Sequence, residues 1–127
     1  MSSTPADKNL TVLIVDDELF FRELLRDLLE KEGFAVIAEA ANGDEAVEKY
    51  QAFRPAVTVM DIFMPEKNGI DATREIVALD GNARVLICSG IGYDDDVQVA
   101  LQAGARDVIY KPFMPAEVIA SIAKALA

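Results

Sequence analysis

Short apolar runs alternate along this chain with longer stretches in which apolar residues recur every three to four positions. Leu10-Thr11-Val12-Leu13-Ile14-Val15 is the first run, rich in β-branched residues and ended by Asp16-Asp17. Phe21, Leu24, Leu25, Leu28 and Leu29 then fall at i, i+3, i+4, i+7 and i+8, one face of a helix, with Gly33 as its stop. The unit repeats. Ala35 to Glu39 predicts a second strand, and Asp44 to Phe53 a helix with Ala46, Val47 and Tyr50 inward, blocked by Pro55. Val57 to Met60 predicts a third strand ending at Asp61, followed by a helix marked by Ile70, Thr73, Ile76 and Val77. Arg84 to Cys88 predicts a fourth strand ending at Ser89-Gly90. Asp94 is the expected cap of a helix with Val97, Ala100 and Leu101 inward, ended by Gly104. Asp107 to Tyr110 predicts the fifth strand, before Lys111-Pro112 and a last helix with Val118, Ile119, Ile122 and Leu126 inward.

Strands alternating with helices in this way predict an α/β fold, a parallel sheet with helices on both faces. Right-handed crossovers leave few topologies open. The 127 residues suffice for one domain and hardly for two. About half are apolar, enough for a core without structural metal or disulfides. The single cysteine, Cys88, excludes an intrachain disulfide and suits a reducing compartment.

Charge narrows the function. With 22 acids against 12 bases the net charge is −10, which disfavours direct nucleic-acid binding through phosphates. There is no histidine, so Ser-His catalysis, a His-ligated zinc and a phosphohistidine on this chain are excluded. The N-terminus is polar, without an apolar signal core, and no apolar run is long enough for membrane insertion. The default expectation is a cytoplasmic protein.

In an open parallel sheet, sites form beyond the carboxyl ends of the strands. The residues expected there are Asp16 and Asp17 (with Glu18 next), Asp61, Ser89 and Lys111. Clustered carboxylates repel and call for a cation, and a hard divalent ion such as Mg²⁺ suits oxygen ligands. A carboxylate is a competent phosphoryl acceptor, and a lysine and a hydroxyl compensate phosphoryl oxygens. Each piece alone has an ordinary reading: a helix N-terminus favouring acids, a turn, a loop. Their joint arrival at strand ends points to chemistry.

The stretches Val12 to Asp17, Met60-Asp61-Ile62-Phe63-Met64-Pro65 with Gly69, Ser89, Gly104-Ala105 and Lys111-Pro112-Phe113 resemble the response-regulator receiver domain of two-component signalling, most closely the CheY-like single-domain kind. The resemblance runs from about Leu10 to Leu126. It implies a flavodoxin-like, doubly wound sheet of strand order 2-1-3-4-5. It implies one receiver domain over residues 1–127, with 1–9 a flexible N-terminal tail. Asp61 would be the phosphoacceptor. Asp17, Asp61 and the backbone carbonyl of Phe63 would ligate Mg²⁺, with Asp16 acting mainly through a metal-bound water. Lys111 would pair with the phosphoryl group and Ser89 would hydrogen-bond it. The Lys111-Pro112 bond would be cis.

The resemblance further implies a histidine kinase as phosphodonor. It implies a downstream protein bound at the face of the fourth helix, fifth strand and fifth helix, with chemotaxis as a pathway. Such a protein is no enzyme beyond its own phosphorylation and dephosphorylation, and is a monomer or a dimer. No output domain follows the last helix in these residues. Either the protein binds its partners directly or the sequence is an excised domain.

Two departures stand out. Many receivers have Tyr or Phe three residues before the lysine; here it is Val108, and the aromatic is Tyr110, on the same side of the strand, expected as a packed rim residue. Phe63 and Ile91, two after Asp61 and Ser89, flank the path of the hydrolytic water in the family. Both are apolar here, so a long-lived phosphoryl group is expected.

Three other functions are open to a fold of this kind. A flavin protein on this fold needs a Ser, Thr and Gly-rich phosphate loop where this chain has Asp16-Asp17-Glu18. An aspartyl-phosphate hydrolase needs a second acid where Phe63 stands. A phosphorylation-independent binding module with a receiver fold is the remaining alternative.

Overall fold

The computed structural model describes residues 10–127. The expected tail, 1–9, lies outside the described residues. Ten elements alternate: β1 (Thr11–Val15), α1 (Leu19–Lys31), β2 (Ala35–Ala40), α2 (Gly43–Phe53), β3 (Val57–Asp61), α3 (Gly69–Leu79), β4 (Val85–Ser89), α4 (Asp94–Gln102), β5 (Asp107–Tyr110) and α5 (Pro115–Leu126). The sheet has the order β2-β1-β3-β4-β5, and each neighbouring pair is parallel. Both the fold class and the strand order agree with the sequence reading.

The central strands read as continuous apolar runs because both their faces are covered. Successive side chains enter opposite layers. Leu13, Val15, Met60 and Ile87 pack with Ala46 and Tyr50 of α2, Ala72 and Ile76 of α3, and Val97 and Ala100 of α4. Val12, Ile14, Val59, Leu86 and Ile109 pack with Leu25 and Leu29 of α1 and Val118 and Ile122 of α5. Three helices therefore cover one face and two the other.

Caps place the helix starts. Asn42 caps α2 by accepting from the Glu45 amide at 2.9 Å, and the Glu45 side chain accepts from the Ala41 amide at 3.0 Å. Asn68 accepts from the Asp71 amide at 2.9 Å and starts α3. Asp94 does not cap α4. Tyr93 holds that position without a side-chain bond, and Asp94, Asp95 and Asp96 occupy the first turn, where the helix dipole favours acids. Leu24, expected inward on α1, is exposed, because the sheet meets α1 along Leu25 and Leu29. The Lys111-Pro112 bond is cis, as expected.

Candidate functional site

The chain turns in opposite directions along the sheet after β1 and after β3, which are neighbours. Their carboxyl ends therefore open a crevice between diverging connections. Asp16 follows β1 and Asp61 closes β3. Ser89 is the last residue of β4, paired with Tyr110 at the end of β5, so Lys111 leaves the sheet beside them.

Asp16 and Asp61 are 4% and 8% exposed, unusual for carboxylates. Lys111 joins them: its Nζ donates to Asp16 Oδ2 at 2.8 Å and to Asp61 Oδ1 at 3.3 Å. Asp16 Oδ1 also accepts from the Glu18 amide at 2.9 Å, and Arg22 donates to the Asp16 carbonyl at 2.6 Å. Both Asp16 oxygens are thus engaged. Asp61 has Lys111 as its one hydrogen-bond partner among the described residues, leaving its other oxygen open.

The electrostatics are unbalanced. Asp16, Asp17 and Asp61 bring three negative charges to a site where, among the described residues, Lys111 is the cation paired with the carboxylates of Asp16 and Asp61. The Asp61 carboxyl is pushed up from 3.8 to about 6, first by burial and then by the charge of Asp16, with Lys111 pulling it partly back. Burial lowers the Lys111 value, but its hydrogen bond to Asp16 and the charges of Asp61 and Asp16 leave it raised overall. The folded chain therefore holds a proton on Asp61 between about pH 4 and pH 6 that the unfolded chain has released. Stability from this group is present at low pH and lost as pH rises through about 6. Asp61→Asn should raise stability by about 2 kcal/mol at neutral pH and by little at pH 4, read by urea unfolding. An equal gain at both pH values would assign the effect to packing instead.

The carboxylate oxygens that gather within 4.8 Å of one another are those of Asp16, Asp17 and Glu18, with Asp17 and Glu18 exposed. Asp61 stands outside that trio. Glu18, which the sequence offers only as the next residue along, brings its carboxylate to this trio.

Ser89 is buried and its Oγ donates to the Gly90 carbonyl at 2.8 Å, not towards Asp61. Phe63 and Ile91 are exposed. Phe63 packs on Tyr93, ring centroids 4.9 Å apart, a contact the sequence did not suggest. Val108 is half-buried against the α2–α3–α4 layer. Tyr110 is 38% exposed rather than packed, because β5 is an edge strand and its end is uncovered. Cys88 is fully buried and its thiol is pushed up by that burial, so it takes no part.

Known proteins are similar to this chain over most of its length. Residues 12–123 match the family described as the response regulator receiver domain. A chemotaxis protein CheY from Thermotoga maritima is 50% identical over 113 residues, covering 89% of this chain and 94% of that protein. One from Bacillus subtilis is 49% identical over 115 residues, covering 91% and 96%. The crystal structure of a CheX-CheY-BeF3-Mg complex from Borrelia burgdorferi aligns with a TM-score of 0.89 at 34% identity, covering 98% of this chain and 99% of that one.

Proposed function

The chain belongs to the response regulator receiver domain family, and from that premise we propose that it is a chemotaxis response regulator that takes a phosphoryl group on Asp61. The observation that carries this reading is the buried Asp61 carboxylate at the end of β3, bonded on one oxygen to Lys111 and open on the other. The open oxygen forms the new bond to phosphorus. The phosphorus–nitrogen bond of a kinase phosphohistidine, or the phosphorus–oxygen bond of acetyl phosphate, breaks, and the donor leaves with its electron pair. The product is an acyl phosphate, and its hydrolysis returns Asp61 and inorganic phosphate. Catalysis of this kind is mostly positioning and charge compensation.

The donor set suits Mg²⁺. Oxygen donors from Asp16, Asp17, Asp61 and the Phe63 carbonyl match a hard cation, and three carboxylates against Lys111 leave an uncompensated negative charge. When bound, the ion would neutralise charge on the phosphoryl oxygens. Lys111 keeps its ammonium against Asp61 and is in reach of a group formed there. Ser89 must leave the Gly90 carbonyl to hydrogen-bond that group, and this movement would carry the β4–α4 loop inward. The readout face in this reading is α4, β5 and α5, where Tyr110 and Val99 are exposed. With Val108 in place of an aromatic, the switch would depend on Ser89 and its loop. The chemotaxis assignment rests on the relatives from Thermotoga maritima and Bacillus subtilis.

Adding Mg²⁺ and beryllofluoride, a phosphoryl mimic, should shift the amide resonances of Asp61, Ser89 and Lys111. Unmoved spectra would contradict the reading and favour a phosphorylation-independent binding module. The apolar mouth predicts a slow loss of phosphate, because neither Phe63 nor Ile91 can orient a water. Phe63→Asn should shorten the acyl-phosphate lifetime several-fold, followed by intact mass over time. An unchanged decay would mean that Phe63 and Tyr93 serve only as surface.

A further inference from the structure

Lys111 has a third neighbour besides its two carboxylates. Its Nζ sits 4.0 Å from the centroid of the Phe21 ring, on α1. That is well inside the range in which a ring face attracts an ammonium, an effect that grows as water is excluded. The ring is itself held. Phe20 meets it edge-on, centroids 5.3 Å apart at 72°. Phe113, two residues beyond Lys111, meets it at 6.0 Å and 88°. Phe21 thus ties α1 to the segment that delivers the lysine.

We propose that Phe21 is a positioning residue, whose ring face holds the Lys111 ammonium at the mouth of the acidic crevice; the inference rests on the phosphoacceptor reading of that site. An ammonium on a four-carbon stem samples many rotamers, and a lysine drawn into solvent compensates nothing at Asp61. An acidic side chain in place of Phe21 would also hold it, but would compete with phosphoryl oxygens for its three donors. A ring face attracts the charge and accepts no strong hydrogen bond. Lys111 can therefore pass its donors from Asp61 to an arriving phosphoryl group without leaving its place.

Phe21→Leu keeps apolar bulk and removes the ring, whereas Phe21→Tyr keeps the ring. In protein labelled with ¹³C-lysine, the ε-methylene protons of Lys111, assigned with a Lys111→Met chain, should lie upfield of those of other lysines. They should return to the ordinary position in Phe21→Leu and stay upfield in Phe21→Tyr. With Mg²⁺ and acetyl phosphate, Phe21→Leu should slow phosphorylation by about three- to tenfold with the apparent donor affinity unchanged, and Phe21→Tyr by less than about twofold. A Lys111 signal alike in wild type and Phe21→Leu would overturn the proposal. So would equal slowing in both variants, the mark of lost packing alone. The ring shift needs no phosphoryl transfer, so a wild-type chain that takes no phosphoryl group overturns the functional reading, and the ring shift still decides where Lys111 is held.

Discussion

Gly69→Ala should lose about 3 kcal/mol of stability or more. A Cβ on Gly69 would lie 1.9 Å from the Asp61 carbonyl oxygen, 2.9 Å from its carbon and 3.0 Å from the Ile62 Cα. Each of these atoms is backbone, so no rotamer change relieves the clash. The start of α3 is also tied to this spot, since the Gly69 amide donates to the Ile62 carbonyl at 2.8 Å. Room for the methyl group can come only from parting α3 from the end of β3, which moves Asp61. Gly81→Ala is the control: nothing lies within 4 Å of its added Cβ, and the expected change is within about 0.5 kcal/mol. Urea unfolding of both variants checks the pair. Equal stability of the two would refute the close approach of Gly69 to Asp61.

Lys111→Met is the second large effect. The substitution keeps the bulk of the side chain and removes its charge, leaving Asp16 and Asp61 facing each other in a buried crevice. Removing one partner of a buried charge pair is far costlier than the pair is worth, because the charge left behind is unsolvated. Lys111 is 15% exposed at the side chain, so water offsets part of that cost. The expected loss is about 2–3 kcal/mol at pH 8. It should shrink towards pH 5, where Asp61 takes up a proton in the folded chain and the repulsion ends. Millimolar Mg²⁺ should restore part of it at pH 8. A loss independent of both pH and Mg²⁺ would indicate that Lys111 acts through packing.

Most of the architecture was legible because strands buried on both faces leave unbroken apolar runs, here in β1, β3 and β4. Five β–α units imply a parallel sheet, which sets the carboxyl ends of the strands on one rim and with them Asp16, Asp61, Ser89 and Lys111, whereas the strand order followed only from the family resemblance. The Lys111–Asp16 bond, which spans 95 positions along the chain, was not among the expectations, which set the lysine against a phosphoryl group. What periodicity could not supply was the rotation of each helix about its axis. Leu24 and Phe21 were read on one inward face with Leu25 and Leu29. The structure exposes Leu24 and turns Phe21 to Lys111. The caps at Asn42 and Asn68 are legible as an Asn just before each helix, a signal that the apolar pattern does not carry. Asp94 was a cap by residue type, but the first helical turn claimed it. The stack of Phe63 on Tyr93 joins two loops, where no period exists to read.

Asp61 is expected to accept a phosphoryl group. Intact mass, measured with Mg²⁺ and acetyl phosphate on the wild-type chain and on Asp61→Asn, tests it most directly. The expected result is a gain of one phosphoryl group in the wild type and none in the variant. A wild-type mass that stays unchanged while the fold is intact and Mg²⁺ is bound, or a gain that persists in Asp61→Asn, would contradict it.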